Sequence, residues 1–122
     1  MNKVVLIGRL TKEPELKFTQ NGNAVCNFTL AVNRTYKNEQ GEYDSDFINC
    51  QAWRGTAQFI GDYLRKGYQI AVSGSIQTRN YQAQDGSTKY VTEVICDEVQ
   101  NLQPIEKKTD PNNIAHQDDL PF

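Results

Sequence analysis

The chain is short of the groups on which most enzymes depend. It has one histidine, His116, which stands in a polar stretch six residues from the end of a 122-residue sequence. A serine or cysteine nucleophile in the preceding part would therefore lack a histidine base. There is no GxxxxGK[ST] phosphate loop and no cluster with zinc-ligand spacing, so neither a metal nor a cofactor is expected. Carboxylate-only catalysis is left without any pattern to support it, and the chain is read as a non-enzyme. Cysteines are few and odd in number. Cys26, Cys50 and Cys96 form no CxxC pair, and each lies in an apolar run where a free thiol behaves as a small hydrophobe. A reduced, cytoplasmic protein is the simplest expectation. No apolar run approaches the roughly 18 residues of a membrane-spanning helix, and the first residues show no signal-peptide cleavage pattern. An excess of basic charge is also missing: 13 Lys+Arg stand against 15 Asp+Glu, a formal charge of −2. That excludes a strongly basic coat for duplex DNA.

Proline is nearly absent before residue 104 and frequent from there on, at Pro104, Pro111 and Pro121. Residues 105–122 hold five apolar residues, Ile105, Ile114, Ala115, Leu120 and Phe122. So few cannot offset the entropy of ordering the segment, and disorder is expected there. The charge divides at the same place. Residues 1–104 carry 11 basic and 11 acidic groups, whereas the tail carries Lys107 and Lys108 against Glu106, Asp110, Asp118 and Asp119. The organisation expected is a domain over 1–104, a linker over 105–117 and an acidic tip over 118–122.

The domain reads mostly as strands. Residues 4–10 form a β-branched run broken by Gly8, which suggests a bulge or bend. A short strand at 15–19 precedes Asn21-Gly22, a two-residue hairpin signal. Ala24, Cys26, Phe28, Leu30 and Val32 alternate inward along a strand over 24–32. Residues 34–45 are polar and turn-rich, either a long loop or an extended hairpin tip. A strand over 46–53 follows. Ala57, Ile60 and Leu64 share one face of a helix over 55–66, whose last turn carries Arg65 and Lys66 and which Gly67 ends. Strands over 68–81, with Ile70, Val72 and Ile76 inward, and over 88–96 flank Asp85-Gly86. Leaving aside the short 15–19 segment, one helix between the third and fourth of five strands fits an all-β, five-stranded Greek-key barrel of the OB-fold type, with a disordered C-terminal tail. An SH3-like barrel or split meander suits a helix of that length less well.

The segment 46–53 carries the most chemistry. Alternation places Ile48, Cys50 and Ala52 on one face and Phe47, Asn49, Gln51 and Trp53 on the other. Two large aromatics separated by two amides make a poor core. They either form a platform for splayed bases or pack beneath a loop or in a subunit interface. Tyr36, in Arg34-Thr35-Tyr36-Lys37, and Tyr81, in Arg79-Asn80-Tyr81 with Lys89 across the hairpin, interleave aromatic rings with cations. Each alone reads as an exposed tyrosine; together they fit stacking combined with phosphate contact. Arg9, Lys12, Lys17, Arg54, Arg65 and Lys66 line a groove or are solvated surface charges. Stacking contributes about 1–3 kcal/mol per base, so four platforms offer, as a gross upper figure before ordering costs, on the order of 4–12 kcal/mol without net positive charge. The tip Asp118-Asp119-Leu120-Pro121-Phe122 reads either as a compact peptide ligand, an aromatic and anions for an apolar pocket ringed by Arg or Lys, or as an acidic terminus without a role.

Taken together, these segments resemble the bacterial single-stranded DNA-binding protein family along nearly the whole chain. The matching stretches are Asn2-Lys3-Val4-Val5-Leu6-Ile7-Gly8-Arg9-Leu10, Phe28-Thr29-Leu30-Ala31-Val32-Asn33-Arg34, Asp46-Phe47-Ile48-Asn49, Tyr63-Leu64-Arg65-Lys66-Gly67, Ile76-Gln77-Thr78-Arg79-Asn80-Tyr81, Thr92-Glu93-Val94 and the tip. The resemblance implies an OB-fold homotetramer, nucleoid-associated in the cytoplasm, that wraps single-stranded DNA. Its stacking residues would be Tyr36, Phe47, Trp53 and Tyr81, at places where relatives often carry tryptophan. Its phosphate and polar contacts would come from Lys3, Arg9, Arg34, Lys37, Asn49, Gln51, Arg54, Arg65, Lys66, Arg79 and Lys89. The tip would recruit replication, recombination and repair proteins. The linker departs from the family pattern: its thirteen residues lack a long Gly/Gln/Pro-rich stretch and span about 20 Å as a coil. Three rivals remain at this level: a protein-binding replisome adaptor, an RNA-binding OB module and a carboxylate-dependent nuclease.

Overall fold

The structure, a computed structural model, describes residues 1–103. The expectations about the linker and the tip at Asp118 to Phe122 lie outside the described residues. The elements run β1 (Val4–Leu10), β2 (Glu15–Phe18), β3 (Ala24–Lys37), β4 (Tyr43–Trp53), α1 (Arg54–Tyr63), β5 (Gln69–Gln82) and β6 (Thr88–Asn101).

The strand order is β1-β5-β6-β4-β3-β2, and a further β1–β3 pairing joins the ends into a closed five-stranded barrel. The short β2 hangs on β3 outside that circuit. Closure depends on β1 serving two neighbours. Its Val4 to Arg9 pair with β5, while Arg9 and Leu10 pair with Ala31 and Leu30 of β3. At this crossing Gly8 is buried, and a Cβ there would lie 2.6 Å from the Ala31 carbonyl oxygen. The glycine thus marks a close backbone approach rather than a break; β1 is continuous through it. The remaining link is a two-residue parallel pairing of Cys50 and Gln51 with Val94 and Ile95.

The alternation in β3 and β4 fills the interior. Cys26, Leu30 and Ala52 are fully buried, and Phe28 and Cys50 nearly so. Helix α1 lays Ala57 and Ile60 against this core, and Leu64, just past its end, is buried with them. The helix is shorter than its pattern suggests and stops at Tyr63, not 66. Leu64 turns extended (ψ 144°) after its N–H donates to the Ile60 carbonyl, which carries its side chain into the core. Arg65 still caps the helix, its Nη1 donating to the carbonyls of Gly61 and Leu64 at 3.4 and 3.3 Å. Gly67 (φ +88°) belongs to the following turn, in which the Tyr68 N–H donates to the Arg65 carbonyl.

Two hairpins reach past the barrel. Residues 34–45 form one of them, with strands running to Lys37 and from Tyr43. Its tip is organised by Asn38, whose Oδ1 accepts from the N–H groups of Gln40 and Glu42, both at 2.9 Å. The β5–β6 hairpin turns at Asp85-Gly86-Ser87, where the Asp85 carboxylate accepts from the Ser87 hydroxyl and N–H. These bonds hold the Asp85 carboxyl below its ordinary range. Ile76 lies on this arm and is 45% exposed, not inward as the alternation suggested. The arm has left the barrel by then, so Ile76 has no core behind it. Asn21-Gly22 likewise sits within a five-residue connection closed by Thr19 and Asn23, not a two-residue turn.

Candidate nucleic-acid interface

The outward face of β4 presents Phe47, Asn49, Gln51 and Trp53 in that order, with Phe47 66% and Trp53 40% exposed. The amides between the rings are bonded to β3. The Trp53 Nε1–H donates to Gln51 Oε1 at 2.9 Å, and Gln51 Nε2 donates to Asn27 Oδ1 at 3.1 Å. The Thr29 hydroxyl donates to Asn49 Oδ1 at 3.2 Å. Register explains these contacts, because Asn27 is the partner of Gln51 and Thr29 that of Asn49 in the β3–β4 ladder. The indole edge of Trp53 is thereby fixed while the ring stays accessible. An exposed, immobilised π-surface flanked by hydrogen-bonding groups suits stacking of an unpaired base.

Beside this face, a groove of about 520 Å³ opens between β3–β4 and the β5–β6 arm. It is lined by Lys12, Glu15, Asn27, Phe28, Thr29, Asn49, Cys50, Arg79, Tyr81, Val91 and Glu93. Tyr81 and Arg79 are brought to it by β5, with Lys89 opposite Tyr81 in register. Arg79 Nε donates to Glu93 Oε1 at 3.0 Å.

On the other arm, the Arg34 guanidinium grips Asp46, with Nε 3.3 and 3.1 Å from the two carboxylate oxygens and Nη2 at 2.9 Å from Oδ1. These bonds hold the Asp46 carboxyl below the usual carboxylate range and raise Arg34 above its ordinary value. Arg34 Nη1 also lies 3.5 Å from the Tyr36 hydroxyl, and Tyr36 is exposed. Lys37 sits 5.8 Å above the centroid of Tyr43, an arrangement that favours a cation over a ring. Tyr43 lies upstream of the strand expected over 46–53 and belongs to β4. It shares the odd-numbered alternation of Phe47 and Trp53 and is 54% exposed, so extending the pattern upstream of Asp46 would have found it.

Lys17, on β2, pairs with Glu15 at 3.7 Å, and the other basic residues divide into two sets. Lys3 precedes β1, next to an Asn2 that is bonded in both directions to the Ile76 backbone, and Arg54 follows Trp53 directly. Arg54 has φ +59°, the one positive value at a non-glycine position among the described residues; it makes the sharp passage from β4 to α1. Arg9, Arg65 and Lys66 gather instead around the turn after the helix. There Arg9 Nη1 donates to the Gly67 carbonyl at 3.0 Å, and the Lys66 N–H donates to Glu13 Oε1 at 3.1 Å. None of these three lines the groove.

The cysteines take no part in this surface chemistry. Burial pushes the Cys26 thiol up to about 11, and the neighbouring Cys96 thiol together with burial raises that of Cys50, whose Sγ–H donates to the Ile48 carbonyl at 3.7 Å. No group of His, Cys, Asp and Glu among the described residues is arranged to hold a metal ion. None of the described helices is long and apolar enough to cross a membrane.

Comparison with known proteins agrees with this geometry. The "Single-stranded DNA-binding protein" of Bacillus cereus is 56% identical over 104 residues, 85% of this chain and 61% of the relative. "Single-stranded DNA-binding protein A" of Bacillus subtilis is 54% identical over 104 residues, covering 85% and 60%. "Single-stranded DNA-binding protein 2" of Listeria monocytogenes is 53% identical over 104 residues, covering 85% and 65%. The chain thus spans less than two thirds of the length of these curated relatives. A profile described as "Single-strand binding protein family" matches residues 1–102, the closed barrel with both arms. The chain belongs to the single-strand binding protein family.

Proposed function

We propose that the chain binds single-stranded DNA without sequence preference, stacking bases on Phe47, Trp53, Tyr36 and Tyr81. The observation that carries this reading is the β4 face, where Trp53 is exposed yet anchored through Gln51 to Asn27 beside a groove containing Tyr81. Every base has a π-face, so such a surface is tolerant of sequence. Lys3, Lys12, Lys37, Arg54 and Lys89 supply the phosphate contacts. Trp53 is the only tryptophan, so its emission reports on the site directly. Titration with oligo(dT) should quench it. No quenching together with no gel shift at low salt ends the proposal. Competition between oligo(dT) and oligo(rU) separates DNA from RNA as the preferred strand.

Assembly as a homotetramer belongs to the same reading. Val5 and Ile7 are 69% and 52% exposed, and over Val4–Gly8 β1 is paired on one side only among the described residues. An apolar strand with a free edge favours pairing with a second copy. Light scattering of the free protein checks it. The acidic tip, through Asp118, Asp119 and Phe122, recruits replication, recombination and repair proteins. Deleting Phe122 should leave oligo(dT) affinity intact and abolish capture of such partners; unchanged capture would count decisively against recruitment.

A further inference from the structure

Two arginines precede exposed tyrosines in the same local pattern, Arg34-Thr35-Tyr36 on β3 and Arg79-Asn80-Tyr81 on β5. Each is bonded to a carboxylate on the neighbouring strand, Arg34 to Asp46 and Arg79 to Glu93. Acidic groups weaken attraction for a polyanion, so their place on this surface calls for a reason. Stability is a poor one for the first pair, whose side chains are 42% and 46% exposed, because exposed ion pairs contribute little. Glu93 is more unusual: at 8% exposure it is the one buried charged residue among those described, and it lines the groove. What the two acids have in common is that each neutralises an arginine next to a stacking ring.

We propose that Asp46 and Glu93 are specificity-determining residues that hold Arg34 and Arg79 off phosphate and so reserve this surface for single strands against duplex. The inference rests on the reading of the surface as a single-strand site. Its physical basis is the difference between the two ligands. Duplex DNA carries a phosphate charge about every 1.7 Å of axis and hides its base faces. A single strand has the lower charge density and exposes those faces. Uncommitted arginines reward the duplex at least as much as the single strand, whereas aromatic platforms reward only the single strand. Neutralising the arginines therefore removes duplex affinity while the stacking is kept. It also gives a role to two of the 11 acidic groups that balance the 11 basic ones over residues 1–104.

The test compares the wild type with Asp46→Asn and Glu93→Gln, using labelled oligo(dT) and a labelled duplex of equal length in anisotropy titrations. Salt is varied from about 50 to about 200 mM. Each freed arginine should add about 0.9 to the duplex salt slope and about 0.7 to the single-strand slope. Across that fourfold range this is an extra loss of about 3.5-fold and about 2.6-fold respectively. At the low-salt end both variants should bind duplex more tightly than the wild type does, and the single-strand to duplex affinity ratio should fall. Unchanged slopes with an unchanged or larger ratio would overturn the proposal. The Asp46 pair is exposed, so Asp46→Asn decides alone if Glu93→Gln melts early. A wild type that binds no oligo(dT) overturns both readings; one that binds it, with variants matching its slopes and ratio, overturns only this one.

Discussion

Among the glycines of the described residues, Gly74 is the one at which an added methyl group meets the closest backbone. An added Cβ at that position would lie 2.0 Å from the Ile95 carbonyl oxygen, 2.8 Å from the Ile95 carbonyl carbon and 3.0 Å from Cys96 Cα. All three are backbone atoms of β6, so no side chain can rotate away. The residue also sits where the β5–β6 register shifts, between Ser73 and Gly74, with paired ladder on both sides of the irregularity. Relief therefore requires β6 to move by roughly 1 Å while it stays paired to β5 and, through Val94 and Ile95, to β4. Overpacking of this kind costs about 1–3 kcal/mol, and more where backbone must shift, so a loss of about 3 kcal/mol is expected. For a domain of this size that is a drop in Tm of about 10–20 °C. Gly55→Ala is the matched control: nothing lies within 4 Å of its Cβ position and it stands in α1, so about 0.5 kcal/mol of stabilisation is expected. Thermal melts followed by circular dichroism distinguish the two. If Gly74→Ala melts within about 2 °C of the wild type, the argument from backbone approach is wrong.

Other outcomes follow from the site and the core. Trp53→Ala should weaken oligo(dT) binding by about 1–3 kcal/mol, while Trp53→Phe, which keeps a ring but loses the bond to Gln51, should lose less; anisotropy titration measures both. Asp46 has a depressed folded-state pKa, so its contribution to stability is present above the unfolded carboxylate value and is lost as pH falls through the lower folded one. The Tm gap between wild type and Asp46→Asn should accordingly be small, because the pair is exposed, but open at neutral pH, closed in acid and narrowed by added salt; a gap that persists in acid would contradict this sign. With Cys26 buried and raised to about 11, the native thiols should react slowly with a thiol reagent at pH about 8 and fully in denaturant. Fast native labelling would mean that the barrel opens more readily than its packing suggests.

Much of this architecture was legible in the sequence because burial leaves a period. Where a strand or helix has a core behind it, as at Cys26 to Leu30 or Ala57 to Leu64, the apolar spacing gave both element and face. Where the arms leave the barrel, both faces meet solvent and the period fades. That is why 34–45 reads as loop or tip and why the β4 pattern is not followed back to Tyr43. The end of β6 is hidden for another reason: Glu98 to Asn101 pair with Ile70 to Ser73 in the barrel wall, yet Val99 is their one apolar residue against the core. The β4 platform was visible since aromatics on a polar face are conspicuous. The roles of its neighbours were not: that Gln51 holds an indole, or that Arg34 and Arg79 are committed to carboxylates, depends on cross-strand register, which no local pattern encodes.

The double duty of β1 has a consequence in time as well as space. Val4 pairs with Gly74, seventy positions away, and Arg9 meets both Gln69 and Ala31. During synthesis β1 has no complete set of neighbours until β5 has followed it, and contacts at such separation close slowly. The β3–β4 hairpin, carrying Phe47 and Trp53, pairs residues close in sequence and can form well before that. The stacking face should therefore take shape on an open sheet, and the barrel should be sealed last along β1, the earliest of its own strands.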